Sequence, residues 1–258
     1  MRLMKRILSA AAVLALSASL LVGCSSGTAS SVPVSASSAA ESTVSSVEET
    51  ASSAVDENEA AAAQLLNDLT GSYQELWPVI LADEYKQTWL DDCTALVGED
   101  NAEAAFEKLS SMVTGDVYGE DAVKAYANGG GAYFCGFTNS LAILTFDGET
   151  STISGTDKDG NVLFSHTYHY IGMEPVRGLY EFQSDDAGSG EFTYFFLAPD
   201  TSAETYHIEF RYGSDAEALS QYDTGEYAYW LASGISTDCD QTMIDNCIEL
   251  FCTENLAG

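Results

Sequence analysis

The residues with the clearest potential for chemistry are a histidine and two acidic residues. His207 and Glu209 are two positions apart in a segment that alternates apolar and polar residues, and residues i and i+2 of a β-strand share a face. Asp200 lies at the end of the preceding predicted strand, across a turn. Imidazole and carboxylate groups are competent ligands for Zn²⁺. The spacing therefore predicts a divalent-metal site at Asp200, His207 and Glu209.

His207 and Glu209 belong to one row of side chains on their strand, and two interpretations follow from the face of the sheet on which that row lies. If the row faces the inside of a barrel, donors about 7 Å apart along the strand can converge on one ion. If it faces solvent, Glu209 pairs with Arg211, which shares the row, and the strand face is merely solvated. The sequence leaves both interpretations open.

The middle of the chain has the pattern of antiparallel β-structure. Two Asp-Gly pairs, at 147–148 and 159–160, predict tight hairpin turns, because glycine adopts the positive φ that such turns require. Many short strands with tight turns indicate a barrel or a sandwich. The predicted strands, rich in aromatic and β-branched residues, are 133–137, 140–146, 150–154, 162–170, 179–183, 191–197, 204–212 and 226–231.

Helices are predicted on both sides of the strands. Apolar residues recur at helical spacing in 57–69, 82–97 and 102–113, with a break at Gly71 to Tyr73, and again in 238–255 at the end of the chain. Asp238, followed three residues later by Gln241, is the predicted N-cap of the last helix. The fold class is therefore mainly β within an α+β protein.

The remaining histidines and the turn at 157–161 favour structural roles. His166 and His169 are three apart and point to opposite faces of their strand, so His166 is predicted to be a hydrogen-bonded core residue. The Asp157–Asn161 turn lacks the ligand spacing of a calcium loop and is predicted to be a hairpin. No common nucleophile, zinc-hydrolase, P-loop or dinucleotide motif occurs, so we predict that the protein is not an enzyme.

The N-terminus has the pattern of a secretory signal. Arg2, Lys5 and Arg6 precede an apolar run of about 16 residues, which is shorter than the roughly 20 that a membrane span needs. The run ends in Leu21-Val22-Gly23-Cys24, which resembles the bacterial lipoprotein signal, so Cys24 is the predicted lipidation site. The expected location is extracytoplasmic, at the cell surface or in the periplasm, with a lipid anchor in the membrane.

Composition predicts three regions. Residues 1–23 form the signal peptide, and residues 24–57, rich in Ser, Ala and Glu, form a disordered stalk. Residues 58–258 form one domain of a size that buries a substantial core.

The formal net charge is −31, which excludes nucleic acid as a natural partner and attracts cations. Five cysteines follow Cys24 without a CxxC spacing, so two disulfides with one thiol and five thiols are both compatible with the sequence.

Several segments resemble the ZinT/YodA proteins and the C-terminal module of AdcA-type zinc lipoproteins. The resemblance runs from about residue 65 to residue 252, and its most useful segment is Tyr206-His-Ile-Glu-Phe-Arg-Tyr-Gly213, which is similar to the family's H-x-H stretch. The other similar segments are 69–81, 168–172, 178–182, 194–200 and 229–235.

This resemblance implies a calycin, or lipocalin-like, antiparallel barrel that binds zinc outside the cytoplasm and assists its uptake through a zinc ABC transporter system. The family's three histidine ligands fall on Asp200, His207 and Glu209, so two are carboxylates here. Carboxylate ligands shift the metal preference of such a site towards harder ions, so Mn²⁺ and Ca²⁺ are candidates beside Zn²⁺.

Other functions remain compatible with a barrel. One is a non-metal calycin that binds a small apolar or sugar-like ligand in its interior. Another is a structural surface lipoprotein with a degenerate metal site, and a third is a glycosidase or other hydrolase that uses two of the many carboxylates. The residues expected to line the ligand site of the first alternative are Phe192, Tyr194, Phe196 and Trp230.

Overall fold

A computed structural model describes residues 57–198 and 207–257. In these ranges, the α-helices are α1 (57–68), α2 (Leu76–Ile80), α3 (Lys86–Val97), α4 (Glu99–Val113), α5 (Glu120–Ala127), α6 (Ala216–Leu219) and α7 (Gln241–Leu256). The strands are β1 (Gly71–Glu75), β2 (Ile143–Asp147), β3 (Thr152–Thr156), β4 (Val162–Met173), β5 (Tyr180–Ser184), β6 (Tyr194–Leu197), β7 (His207–Gly213) and β8 (Ala232–Ser236).

The eight strands form a closed antiparallel barrel. Each strand pairs with the next, and β8 pairs with β1, with Tyr73 opposite Ser236. Closure removes the exposed sheet edges that would otherwise invite aggregation. The predicted fold class, an antiparallel calycin-like barrel with N-terminal helices and a C-terminal helix, is confirmed.

Aromatic side chains fill the inside of the barrel. They come from alternate positions of successive strands, as the cross-strand pairs Phe182–Phe195 and Phe195–Tyr212 show. Phe192 stacks on Phe164, with ring centroids 3.9 Å apart, at one end of the barrel. The interior is therefore a packed core. Its aromatic residues, each at most 6 % exposed, include Tyr73, Phe146, Phe164, Tyr168, Phe182, Phe195, Phe210, Tyr212 and Trp230.

Two of the predicted strands are wrong, and two real strands were not predicted. Segments 133–137 and 226–231 contribute only isolated bridges, including Phe134 to Trp230. The strands that close the barrel are instead β1, predicted as a helix break, and β8. Strand β8 carries small residues where the barrel is tight, since a Cβ on Gly234 would lie 3.0 Å from Ile208, and β1 has only one aromatic residue, Tyr73. Small residues of this kind give no aromatic or β-branched signal.

The helices form a second core on the outside of the barrel. The Phe251 ring of α7 contacts Trp77 of α2 and Trp89 of α3, at centroid distances of 4.7 and 6.0 Å. The N-cap of α7 is Asp240, which accepts a 3.0 Å hydrogen bond from the Met243 amide. The predicted cap, Asp238, is wrong because the helix begins three residues later than expected. None of the helices in the two described ranges is long and apolar enough to span a membrane.

One carboxylate of this helical layer is in an unfavourable setting. Asp92 of α3 has a buried Oδ2 with no hydrogen-bond partner within the described residues. Burial raises its pKa above the ordinary value, and Glu249, Asp245 and Asp91 raise it further. Folding therefore disfavours the ionised form of Asp92.

We expect Asp92→Asn to stabilise the protein at neutral pH. Because the folded-state pKa is raised, the cost of ionising Asp92 is absent at low pH and appears as the pH rises through that pKa. The stabilisation should therefore shrink as the pH falls towards the ordinary carboxyl pKa. Urea unfolding at several pH values measures this. Asp91→Asn is the control, since Asp91 is exposed and accepts a hydrogen bond from Gln87; equal effects of the two variants would contradict the prediction.

Candidate metal site

His207 and Glu209 lie at the start of β7 on the outer face of the barrel. Their neighbours Ile208 and Phe210 are 1 % and 0 % exposed and belong to the barrel core. Because side chains alternate along a strand, His207 and Glu209 point away from that core. The interpretation that places this row inside the barrel is therefore wrong. Both side chains are half-buried, so they are also not simply solvated.

The surroundings of Glu209 come from β8 and from the segment before β2. Glu209 is paired across the sheet with Ser233, whose amide donates a 3.0 Å hydrogen bond to the Cys135 carbonyl. Burial raises the pKa of the Cys135 thiol to about 12, and the nearby Glu209 carboxylate adds to this. The outer face thus brings a carboxylate, a hydroxyl and a thiol to one region, next to His207.

Asp200 lies outside the described residues. Within 57–198 and 207–257, no group of three His, Cys, Asp or Glu side chains is arranged to hold a metal ion. His207 and Glu209 therefore supply two donors on one face. A complete site on β7 would need a further donor from residues 199–206, the connection from β6 in which Asp200 and Glu204 lie.

Arg211 does not have the solvated position that the alternative interpretation gives it. Its guanidinium is fully buried and donates to the backbone carbonyls of Leu219, Gln221 and Tyr227. These carbonyls belong to α6 and to the long connection between β7 and β8. Arg211 therefore holds that connection against the outside of the barrel.

A second arginine shares this environment. Arg177 and Arg211 lie on the Tyr222 ring at 4.2 and 4.4 Å from its centroid, a cation–π arrangement for each. Glu174, fully buried, accepts hydrogen bonds from the Val176 and Arg177 amides at 2.7 Å. Sequence analysis missed this cluster. The available signal was that Arg177 and Arg211 are the only arginines after Arg6.

The other two histidines are at the opposite end of the barrel. His166 Nδ1 lies 2.9 Å from Asp186 Oδ2, and His169 Nδ1 lies 2.6 Å from Asp185 Oδ1. His166 shares the inward row with Phe164, as the sequence predicted. His169 faces outwards opposite Gln183. The two imidazoles thus diverge.

The expected lining of a ligand-binding interior is only partly correct. Trp230 is part of the barrel core and Phe192 packs against it, whereas Tyr194 and Phe196 alternate with Phe195 and lie on the other face of β6, where Phe196 is nevertheless fully buried. A cavity of about 340 Å³ does occur, but outside the barrel, between α2, the end of α4 and the segment around Cys135. The packed interior therefore does not favour a ligand-binding calyx.

An eight-stranded closed antiparallel barrel of this kind, with helices on its outside, is a calycin-like fold. Among solved structures, the chain is similar to the Zn(II)-bound ZinT-like domain of Streptococcus pneumoniae AdcA. The sequence identity is 16 %, the TM-score is 0.45, and the match covers 71 % of this chain and 89 % of that domain.

The chain is also similar to Zn(II)-bound AdcA from the same organism, at 14 % identity and a TM-score of 0.43. That match covers 72 % of this chain and spans 35 % of the AdcA chain. No protein-family model and no curated protein matches the chain.

Proposed function

We propose that this protein is a lipid-anchored, extracytoplasmic and non-enzymatic binding protein for a divalent cation, with Zn²⁺ as the natural ion. The ion would be bound at the start of β7 by His207 and Glu209, with Asp200 as the third donor. The observation that carries the proposal is the placement of His207 and Glu209 on one half-buried outer face, directly after the 199–206 connection.

The chemistry of these donors fits zinc. Imidazole nitrogen and carboxylate oxygen are ordinary zinc ligands, and three protein ligands leave a position for water or for a receiving protein. A site on the outer face is also more accessible to such a receiver than one in the packed interior. His207 must be neutral to bind the ion, so we expect zinc affinity to weaken on acidification.

The rest of the chain supports a role in cation capture at a membrane. The predicted lipid on Cys24 and the stalk at 24–57 would hold the barrel near the bilayer, where an ABC transporter for zinc would receive the ion. A net charge of −31 raises the local concentration of cations around the protein. The harder ions Mn²⁺ and Ca²⁺ are the competing cargoes, because two of the three proposed ligands are carboxylates.

Calorimetric titration of the full chain with Zn²⁺ tests the site. The titration includes excess Mg²⁺, which occupies weak sites on the acidic surface. We expect one zinc ion per chain, and we expect His207→Ala to weaken its binding by at least about 100-fold, since even the loss of an outer-shell partner typically costs about 10–100-fold.

His169→Ala is the matched control. This histidine also lies on the outer face of a strand and has a carboxylate neighbour, Asp185, but it is not part of the proposed site. It should bind zinc as the wild type does. Equal zinc binding by the wild type and His207→Ala would refute the site, and loss of zinc in His169→Ala alone would move it to the other end of the barrel.

A further inference from the structure

Two buried cysteines meet between the third helix and the last one. Cys93 of α3 and Cys252 of α7 are both fully buried, and their sulfur atoms are 3.9 Å apart. In the structure both are thiols, as are Cys135 and Cys239. A disulfide requires the two sulfur atoms to lie about 2.05 Å apart, so these sulfur atoms are direct neighbours that must approach further for a bond to form.

We infer that Cys93 and Cys252 are the site of a disulfide that fastens the C-terminal helix to the helical layer of the barrel. This inference depends on the proposed function only for its location, because an extracytoplasmic compartment permits disulfides to persist.

The oxidation is a thiol–disulfide exchange with a donor disulfide, such as a disulfide oxidoreductase or a small disulfide. The thiolate of one cysteine attacks the donor and forms a mixed disulfide. The second cysteine displaces the donor as the Cys93–Cys252 bond forms. The protein loses two electrons and two protons, and the donor leaves as two thiols.

The position of the bond explains what it would stabilise. Helix α7 is the last element of the fold, and terminal elements are among the first to open locally. Near its start, α7 contacts α3 through Thr88 and Asp245, 3.5 Å apart. Cys252 makes the corresponding contact near its end. A bond there would close a loop that contains seven of the eight barrel strands, β2 to β8, and cross-links of long loops restrict the unfolded chain most.

Burial also determines when the bond can form. It raises the pKa of both thiols. Cys93 raises the pKa of Cys252 further, whereas the hydrogen bond with Cys252 offsets part of the rise for Cys93. The folded protein therefore offers little thiolate and no access to a donor. Oxidation would occur while the chain folds, before α7 is fully packed, and the finished bond would be protected from reductants.

Peptide mapping tests the inference on the full-length chain. The reduced, denatured chain is refolded in a glutathione redox buffer, its remaining thiols are alkylated, and the digest is analysed by mass spectrometry. We expect a peptide pair joined through Cys93 and Cys252, lighter by two hydrogen atoms than the separate peptides. The oxidised chain should also unfold at a higher urea concentration than the reduced chain.

Matched variants make the result specific. Cys93→Ser and Cys252→Ser should each abolish the stabilisation by oxidation, whereas Cys239→Ser should retain it. Separate alkylation of Cys93 and Cys252 after refolding, or pairing of either with another cysteine, would overturn the inference.

A second sample is the chain extracted from intact cells into alkylating buffer. It distinguishes whether the bond can form at all from whether it forms where the protein is located in the cell. A bond formed in glutathione and present in cells supports the inference in full. A bond formed in glutathione and absent from cells overturns its extracytoplasmic part and, with it, the proposed location, while zinc binding is measured independently.

Discussion

Replacing Arg211 with methionine is expected to lower the free energy of unfolding by about 3–5 kcal/mol, because several buried backbone carbonyls would lose their hydrogen-bond donor. The side chain is fully buried and donates to the carbonyls of Leu219, Gln221 and Tyr227. A methionine fills a similar volume but donates no hydrogen bond. It would leave these carbonyls buried without donors, each at a cost of about 1–3 kcal/mol when no water replaces the guanidinium.

Equilibrium urea unfolding measures this loss, and Arg177→Met is the comparison. Arg177 also lies on the Tyr222 ring, but it is only half-buried, and its NH2 group donates to the Tyr133 hydroxyl. Its replacement should cost clearly less. A free energy of unfolding for Arg211→Met within about 1 kcal/mol of the wild-type value, the range expected of an exposed ion pair, would show that Arg211 does not hold the β7–β8 connection in place.

Truncation of Phe195 to alanine is expected to destabilise the barrel by about 3–5 kcal/mol, the usual cost for a buried phenylalanine. The ring is fully buried in the centre of the barrel and lies 5.3 Å from Tyr212 and 5.4 Å from Tyr168, centroid to centroid. Its neighbours come from different strands and cannot all collapse into the space. The variant therefore also tests whether the interior is full in the wild type.

The measurement combines urea unfolding with the binding of a small apolar probe such as benzene. We expect the wild-type interior to exclude benzene and the Phe195→Ala cavity to accept it, since apolar cavities of this kind bind such probes. Val162→Ala is the control, because Val162 is 70 % exposed and its loss should be nearly neutral. Benzene binding by the wild type would instead favour the ligand-binding calyx.

The sequence predicted the barrel because the signals for its strands are local. Strands β5 and β7 alternate apolar or aromatic residues with polar ones. The Asp157 turn between β3 and β4 forms the expected hairpin, in which the Asp157 carboxylate accepts hydrogen bonds from the Asp159 and Asn161 amides. The closing strands β1 and β8 could not be predicted in this way. In β8 a small residue is required by close packing against another strand, as Gly234 packs against Ile208 of β7, and β1 offers a single aromatic residue, Tyr73.

The candidate site shows the same division between local and distant information. That His207 and Glu209 share a face follows from their spacing alone. Which face it is depends on the whole barrel, and of the two interpretations that the sequence left open, the one that places the row inside the barrel was wrong. The position of Arg211 depended on the β7–β8 connection folding back onto its own strand, an arrangement with no periodic signal. The metal ligands, the lipid anchor and the transporter partner remain predictions.

The most direct test of the metal site is a crystal structure of the chain grown with Zn²⁺, with anomalous data collected at the zinc edge. The proposal predicts one strong peak at the start of β7, about 2.0–2.1 Å from a His207 nitrogen and about 2.0–2.2 Å from carboxylate oxygens of Glu209 and Asp200. A structure in which His207 and Glu209 are ordered without a peak between them, or in which the peak lies beside His166 and Asp186, would contradict it.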